Sequence, residues 1–293
     1  MMTETLGRVR AFSSLVKLSH TVFALPFAAS AVILATARPH VALTLPRVLA
    51  MLVAMVAART AAMAYNRYLD RDIDGVNPRT RDREVPRGIV SPEAALVLTA
   101  VSSAAFVAAA ATLGRWPLVL SLPVLVVLLG YSWTKRFTWA SHLVLGLALA
   151  LAPGGAWIAM GARPEPAILA LMLAVLSWVG GFDVLYSLQD ERFDREHGLH
   201  SVPARFGTGA AVVLSAALHV VTVGALALTG AWLGRGPVFF FGVALVAALL
   251  VYEHALVGRG NLEKIDRAFF DINGYVSCAF FALTALDAWL LAA

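Results

Sequence analysis

Long apolar segments alternate with short polar connections along the whole chain. Nine segments contain roughly 20 mostly apolar residues, the length of a helix that crosses the hydrocarbon core of a bilayer. A backbone surrounded by lipid must satisfy its own hydrogen bonds, so each segment is predicted to be an α-helix. The predicted spans are residues 18–37, 45–66, 93–113, 117–133, 139–160, 166–186, 208–230, 237–257 and 269–292.

The composition supports a membrane protein. Of the 293 residues, 60% are hydrophobic and only 14% are charged, whereas soluble domains contain about 25% charged residues. No stretch has the mixed composition of a separate soluble core. We therefore expect an all-α integral membrane protein in which residues 1–293 form a single transmembrane domain.

The basic residues predict the orientation of the chain. Of the 23 lysines and arginines, five lie in connections opposite the N-terminus, two lie inside spans, and the remaining sixteen lie on the N-terminal side. The positive-inside rule then predicts a cytoplasmic N-terminus and, after nine spans, a C-terminus outside the inner membrane. The net charge of +5 resides in short connections, a pattern that suits an anionic membrane surface or substrate rather than a nucleic acid.

Acidic residues recur at the cytoplasmic end of the second span. Asn66, Asp70 and Asp74 are spaced four residues apart, and each step of four advances roughly 400° around a helix. The three side chains are therefore expected to form one stripe about 12 Å long. We call these residues the first aspartate motif.

The sixth span ends in a similar way. Tyr186, Asp190 and Asp194 are again four residues apart, and Asp183 precedes them by about one turn. We call Asp190 and Asp194 the second aspartate motif. The two motifs are 120 residues apart and are followed by "VPRG" and "VPARFG", which indicates a weak internal repeat.

Carboxylates close to hydrocarbon cost about 2.5 to 3.5 kcal/mol each, so they need a compensating positive charge. Hard oxygen ligands select Mg²⁺, which is commonly bound by one or two carboxylates together with water and substrate phosphates. A single Asp-x-x-x-Asp at a helix end is usually a solvated or salt-bridged surface. Two such motifs on the same side of a membrane favour a site for Mg²⁺ and a diphosphate.

With these motifs the sequence resembles the UbiA superfamily of intramembrane aromatic prenyltransferases along nearly its whole length. That family has nine helices around a central cavity, an Asn-x-x-x-Asp-x-x-x-Asp motif and a second Asp-x-x-x-Asp motif after the sixth helix. Four further stretches resemble the 4-hydroxybenzoate polyprenyltransferase branch, including its relatives in menaquinone synthesis by the futalosine route. These stretches are "SHTVFALPFA" (19–28), residues 131–161, and "VYEHALV" with "AFFDIN" near the C-terminus.

The resemblance implies roles for particular residues. The two aspartate motifs, including Asn66, would hold Mg²⁺ and through it a polyprenyl diphosphate. Lys135 and Arg136 would bind phosphate or an aromatic acid, and Asp183 and Tyr186 would line the reaction centre. The phosphate-binding arginine is either Arg83 or Arg87, because the family usually has Arg-Pro-Leu where this chain has "REVPRG".

The implied reaction joins a polyprenyl chain to an aromatic acceptor, most simply 4-hydroxybenzoate, in ubiquinone or menaquinone biosynthesis. Mg²⁺ and basic residues would neutralise the departing pyrophosphate. Either Asp183 or the pyrophosphate would then accept the ring proton. The alternatives are another UbiA branch, such as heme O or chlorophyll synthase, and a secondary transporter. Transporter sites usually lie near the membrane midplane, whereas both motifs here end spans, which favours an enzyme.

Overall fold

The computed structural model describes residues 21–258, 265 and 268–292, and regular structure there is entirely helical. The helices are α1 (Thr21–Thr36), α2 (Leu45–Leu69), α3 (Arg71–Val76), α4 (Pro92–Leu113), α5 (Arg115–Thr134), α6 (Ser141–Ala159), α7 (Pro166–Tyr186), α8 (Glu191–Glu196), α9 (Val202–Trp232), α10 (Pro237–Val257) and α11 (Asn273–Ala292). A 3₁₀ turn at Ser187–Asp190 and a π turn at Ala268–Ile272 precede α8 and α11.

The all-α fold class predicted from the sequence is confirmed. Eight helical segments of the described chain are long and apolar enough to cross a membrane, and α1 is a shorter apolar helix. The nine predicted spans correspond to α1, α2, α4 to α7 and α9 to α11. The start of the first predicted span, residues 18–20, lies outside the described residues.

Prolines and serines explain several helix starts. Proline occupies one of the first two positions of α2, α4, α7, α9 and α10, where its missing N–H has no intrahelical partner to lose. Ser91 and Ser201 cap α4 and α9 by accepting hydrogen bonds from the amides of Ala94 and Ala204. These are the N-cap interactions expected of serine.

The helices group into two compact units. Thr44–Trp133 belongs to the first, in which α2 packs along α4. Val22–Leu43 and Thr134–Ala293 form the second, in which α7 packs against α6 and α9, and α10 packs against α11. The single domain expected from composition remains a prediction.

The first aspartate of each motif lies where a long helix breaks. Asp70 (φ −89°, ψ 2°) separates α2 from α3, and Asp190 (φ −102°, ψ 1°) precedes α8. Each break is followed by a six-residue helix. This shared local geometry supports the internal repeat that the sequence indicates.

The two breaks differ in their hydrogen bonding. Around Asp70 the four-residue pattern persists, because its amide bonds Asn66 O at 2.9 Å and the Asp74 amide bonds Asp70 O at 2.7 Å. Asp190 instead ends a 3₁₀ turn, which has three residues per turn. The expectation of a regular four-residue stripe from Tyr186 to Asp190 is therefore wrong. A tightened final turn is a common way to satisfy carbonyl groups at a helix end.

Candidate functional site

The first aspartate motif is held together by hydrogen bonds within the first unit. The Asn66 side-chain amide donates to Asp70 Oδ2 at 2.9 Å and to Ser132 Oγ at 3.3 Å. Asp70 is only 2% exposed. Asn66 and Asp70 thus lie together, as the spacing predicts.

Asp74 is paired with Arg83. One guanidinium nitrogen of Arg83 lies 2.8 Å from each carboxylate oxygen of Asp74, and the Asp74 side chain is 3% exposed. Asp72, between the motif acids in sequence, is 83% exposed and lies 3.7 Å from Arg71. The acids of the motif are therefore buried, while the acid between them is not.

A second arginine, Arg67, contacts the first motif at Asn66. Arg67 is 2% exposed, and its Nε lies 3.8 Å from Glu84 Oε2. Its Nη1 donates to Asn66 Oδ1 at 3.4 Å. Arg83 and Arg67 thus place two cations among the carboxylates, which reduces the cost of burying several acids together. Arg87, the other candidate phosphate ligand, is exposed.

The second aspartate motif lies in the second unit and is half-buried. The side chain of Asp194 lies near that of Ser201. Other charges of α8 pair along the helix, with Arg195 bonded to Glu191 at 2.9 Å and Arg192 to Glu196 at 2.8 Å. Such i,i+4 pairs are typical of an exposed helix surface.

Lys135 and Arg136 directly follow α5 and are half-buried. The backbone carbonyl of Lys135 accepts a hydrogen bond from the His200 amide at 2.7 Å. Lys135 is also near enough to Asp194 for their charges to interact. The structure thus places this basic residue near the second motif, while its role in binding phosphate or an aromatic acid remains a prediction.

Asp183 and Tyr186 lie near the end of α7. Asp183 Oδ2 lies 2.7 Å from His142 Nδ1, and the Tyr186 ring stacks on Phe269 with centroids 4.1 Å apart. The sequence did not single out His142 as a site residue. It lies 41 positions from Asp183, and only the neighbouring ends of α6 and α7 could have suggested the pair. Ser132, which lies 66 positions from Asn66, was missed for the same reason.

The donor set fits Mg²⁺. The first motif offers carboxylate and amide oxygens and the second offers carboxylate oxygens, all of them hard ligands that Mg²⁺ prefers. Within the described residues, no group of three or more His, Cys, Asp or Glu side chains is arranged to hold a metal ion. Mg²⁺ bound through one or two carboxylates, water and substrate phosphates needs no such group.

These features define the class of protein as an integral membrane protein. Its long apolar helices end in buried or half-buried acidic and basic residues. Residues 24–283 match the UbiA prenyltransferase family. The chain belongs to this family.

Individual relatives agree with this assignment. The chain is 35% identical over 238 residues to a 4-hydroxybenzoate octaprenyltransferase of Aromatoleum aromaticum, a match that covers 79% of this chain and 78% of the relative. It is similar in structure to a UbiA homolog from Aeropyrum pernix K1, with a TM-score of 0.82, 34% identity, and 92% and 98% of the two chains covered. A UbiA homolog from Archaeoglobus fulgidus bound to GPP and Mg²⁺ has the same fold, with a TM-score of 0.71, 19% identity, and coverage of 95% and 99%.

Proposed function

We propose that this protein transfers a polyprenyl group from an allylic polyprenyl diphosphate to an aromatic acceptor. The acceptor is 4-hydroxybenzoate or a related aromatic acid, and the product enters quinone biosynthesis. The observation that carries the proposal is the occurrence of two aspartate motifs, each at the break after an apolar helix, in a member of the UbiA family. The relative from Aromatoleum aromaticum supports the choice of acceptor by its name.

Mg²⁺ is the proposed cofactor. Asn66, Asp70 and Asp74 would hold it from the first motif, and Asp190 and Asp194 from the second. When bound, Mg²⁺ supplies positive charge that neutralises the leaving pyrophosphate. The oxygen donor set supports this choice, and the structural relative from Archaeoglobus fulgidus binds Mg²⁺ together with GPP.

Basic residues of the chain add to that neutralisation. Lys135 and Arg136 would donate hydrogen bonds to phosphate oxygens or to the carboxylate of the acceptor. Arg83 already pairs with Asp74, so its proposed role is to hold this acid in place. The exposed Arg87 is then the arginine of the pair that meets phosphate.

The reaction itself requires a bond to break, a bond to form and a proton to leave. The allylic C–O bond breaks, and its electron pair departs with the pyrophosphate. A π pair of the aromatic ring then forms the new C–C bond. Loss of the ring proton to Asp183 restores the aromatic system. The apolar helices exclude water, which would otherwise capture the cation.

The substrates also suggest an arrangement in the cell. A polyprenyl chain is lipid-like, so it would enter from the bilayer, while diphosphate and acceptor would arrive from the cytoplasm. We propose that the N-terminus and the aspartate motifs lie on the cytoplasmic side of the inner membrane, with the C-terminus outside. The excess of basic residues on the N-terminal side supports this orientation.

The function is tested by incubating the purified protein in detergent with a polyprenyl diphosphate, Mg²⁺ and 4-hydroxybenzoate, followed by mass spectrometry. We expect the prenylated acid. A panel of other aromatic acids, a heme and a chlorophyllide tests whether the protein instead uses the acceptor of another branch of the family. Prenylation of the heme or the chlorophyllide alone would contradict the proposed acceptor, and absence of any prenylated product would contradict the proposed function.

A further inference from the structure

His142 and Asp183 form a close pair near the second aspartate motif. The His142 side chain is 6% exposed and that of Asp183 is 23% exposed, so the carboxylate retains access from outside the core. The distance of 2.7 Å between His142 Nδ1 and Asp183 Oδ2 indicates a strong hydrogen bond. One partner is thus packed into the protein, and the other is partly exposed.

The second nitrogen of His142 fixes its tautomer. The backbone amide of Val202 donates a hydrogen bond to Nε2 at 3.3 Å. A backbone N–H can only donate, so Nε2 accepts and carries no proton. In the neutral ring the proton then lies on Nδ1, which donates to Asp183. The pair is therefore a neutral imidazole donating to a carboxylate.

The segment that supplies this amide is itself held in place. The amide of His200 donates a hydrogen bond to the carbonyl of Lys135, and the Ser201 side chain lies near Asp194. Three consecutive residues, 200 to 202, thus connect Lys135, Asp194 and His142. The orientation of His142 is thereby coupled to the basic residue and the acid expected to contact the diphosphate.

Close packing of α6 against α7 brings the backbones around His142 and Asp183 near each other. One turn after His142, Gly146 lies so close to α7 that a Cβ would collide with the carbonyl oxygen of Leu176. One turn before Asp183, a Cβ on Gly180 would lie 3.6 Å from the carbonyl oxygen of His142. Small residues let helix backbones approach closely in membranes. This approach brings the two side chains within hydrogen-bonding distance.

We propose that His142 is a positioning residue for prenyl transfer, which orients the Asp183 carboxylate as the acceptor of the ring proton. The inference rests on the proposed function. In the step concerned, the ring C–H bond breaks, its electron pair returns to the ring, and the proton moves to a carboxylate oxygen of Asp183. His142 keeps its own Nδ1 proton throughout and does not touch the substrate.

The test compares kcat and KM for the wild-type protein with three single variants and one double variant. Asp183→Asn is expected to lower kcat by about 10²- to 10⁴-fold, the usual contribution of a general base. His142→Leu, which removes both hydrogen bonds, should lower kcat by about 10- to 100-fold, as loss of an orienting partner commonly does. His142→Gln, whose amide can donate to Asp183, should restore most of the loss.

The double variant separates positioning from a merely structural role. If His142 acts through Asp183, His142→Leu should cause no further loss in the Asp183→Asn background. An equal loss in both backgrounds, or a wild-type kcat for His142→Leu, would overturn the inference. Thermal unfolding identifies any variant that fails to fold. If the wild-type protein transfers no prenyl group at all, the proposed function fails first.

A spectroscopic measurement needs no inactive variant. In wild-type protein labelled with ¹⁵N-histidine, the His142 signal, assigned by its loss in His142→Gln, should show the Nδ1–H tautomer. An Nε2–H tautomer would contradict the proposed arrangement. This readout is independent of activity, so it tests the inference even if the acceptor differs from 4-hydroxybenzoate.

Discussion

The first aspartate motif lies among buried and half-buried charges of both signs. Asp74 is bound by Arg83, and Arg67 lies between Glu84 and Asn66. A buried charge of either sign is costly without a partner of opposite charge. Removal of one partner therefore leaves the other charge uncompensated. The arginines therefore stabilise the acids before any metal binds.

Removal of the Arg83 charge provides a test at this scale. In Arg83→Met, Asp74 keeps its buried position without its cation, so we expect a loss of stability on the order of 3 kcal/mol in metal-free buffer. Added Mg²⁺ should recover more stability in this variant than in the wild-type protein, because a bound cation replaces the lost charge. Thermal unfolding with and without Mg²⁺ measures both effects.

Arg87→Met is the matched control, since Arg87 lies four residues away and is exposed. It should leave the unfolding temperature nearly unchanged. Equal loss in the two variants, or an Arg83→Met protein that is insensitive to Mg²⁺, would contradict the charge-balance account.

Single residues also show what a sequence can predict. The burial of Asp70 and Asp74 beside an exposed Asp72 follows from helical periodicity, which local spacing encodes. The contact between His142 and Asp183 does not, because it depends on how two separate helices cross. Contacts of this kind are set by packing, and a single sequence carries no direct signal of them.

At the scale of helices, α6 and α7 are joined through glycine. A Cβ on Gly146 would collide with the α7 backbone, and a Cβ on Gly180 would lie 3.2 Å from Leu143 Cδ2. Without a hydrophobic driving force between helices in lipid, such close contact contributes van der Waals attraction. The same crossing positions His142 beside Asp183.

Gly146→Ala should therefore weaken both packing and activity. The added methyl group meets a backbone atom that cannot rotate away, so we expect a destabilisation of about 1–3 kcal/mol, typical of overpacking. Gly155→Ala on the same helix, where nothing lies within 4 Å of the added atom, should be neutral or slightly stabilising. Unfolding temperature and prenyl transfer are measured for both, and similar behaviour of the two variants would refute the close-contact explanation.

Helix boundaries that are marked by proline or glycine were predictable from the sequence. The predicted span 237–257 coincides with α10, because Pro237 starts it and a glycine follows it. The predicted span that starts at residue 208 likewise follows the kink in α9 at Gly207. The φ of 80° at this kink suits only glycine. The 3₁₀ turn before Asp190 has no such marker, since its residues are compatible with an ordinary α-helix.

For the whole molecule, the charge bias between connections predicts a topology. Reporter fusions in a bacterial host test it: alkaline phosphatase fused after the C-terminal residue should be active, and green fluorescent protein at the same place should not fluoresce. A fluorescent protein fused to the N-terminus should fluoresce. The reverse pattern would contradict the positive-inside assignment.

The central proposal is that each aspartate motif is required for Mg²⁺-dependent cleavage of an allylic diphosphate, and pyrophosphate release tests it most directly. We expect release by the wild-type protein that requires Mg²⁺ and is abolished by Asp70→Asn and by Asp190→Asn, while the exposed control Asp72→Asn retains it. Release that continues in chelator, or that survives either motif substitution, would contradict the account.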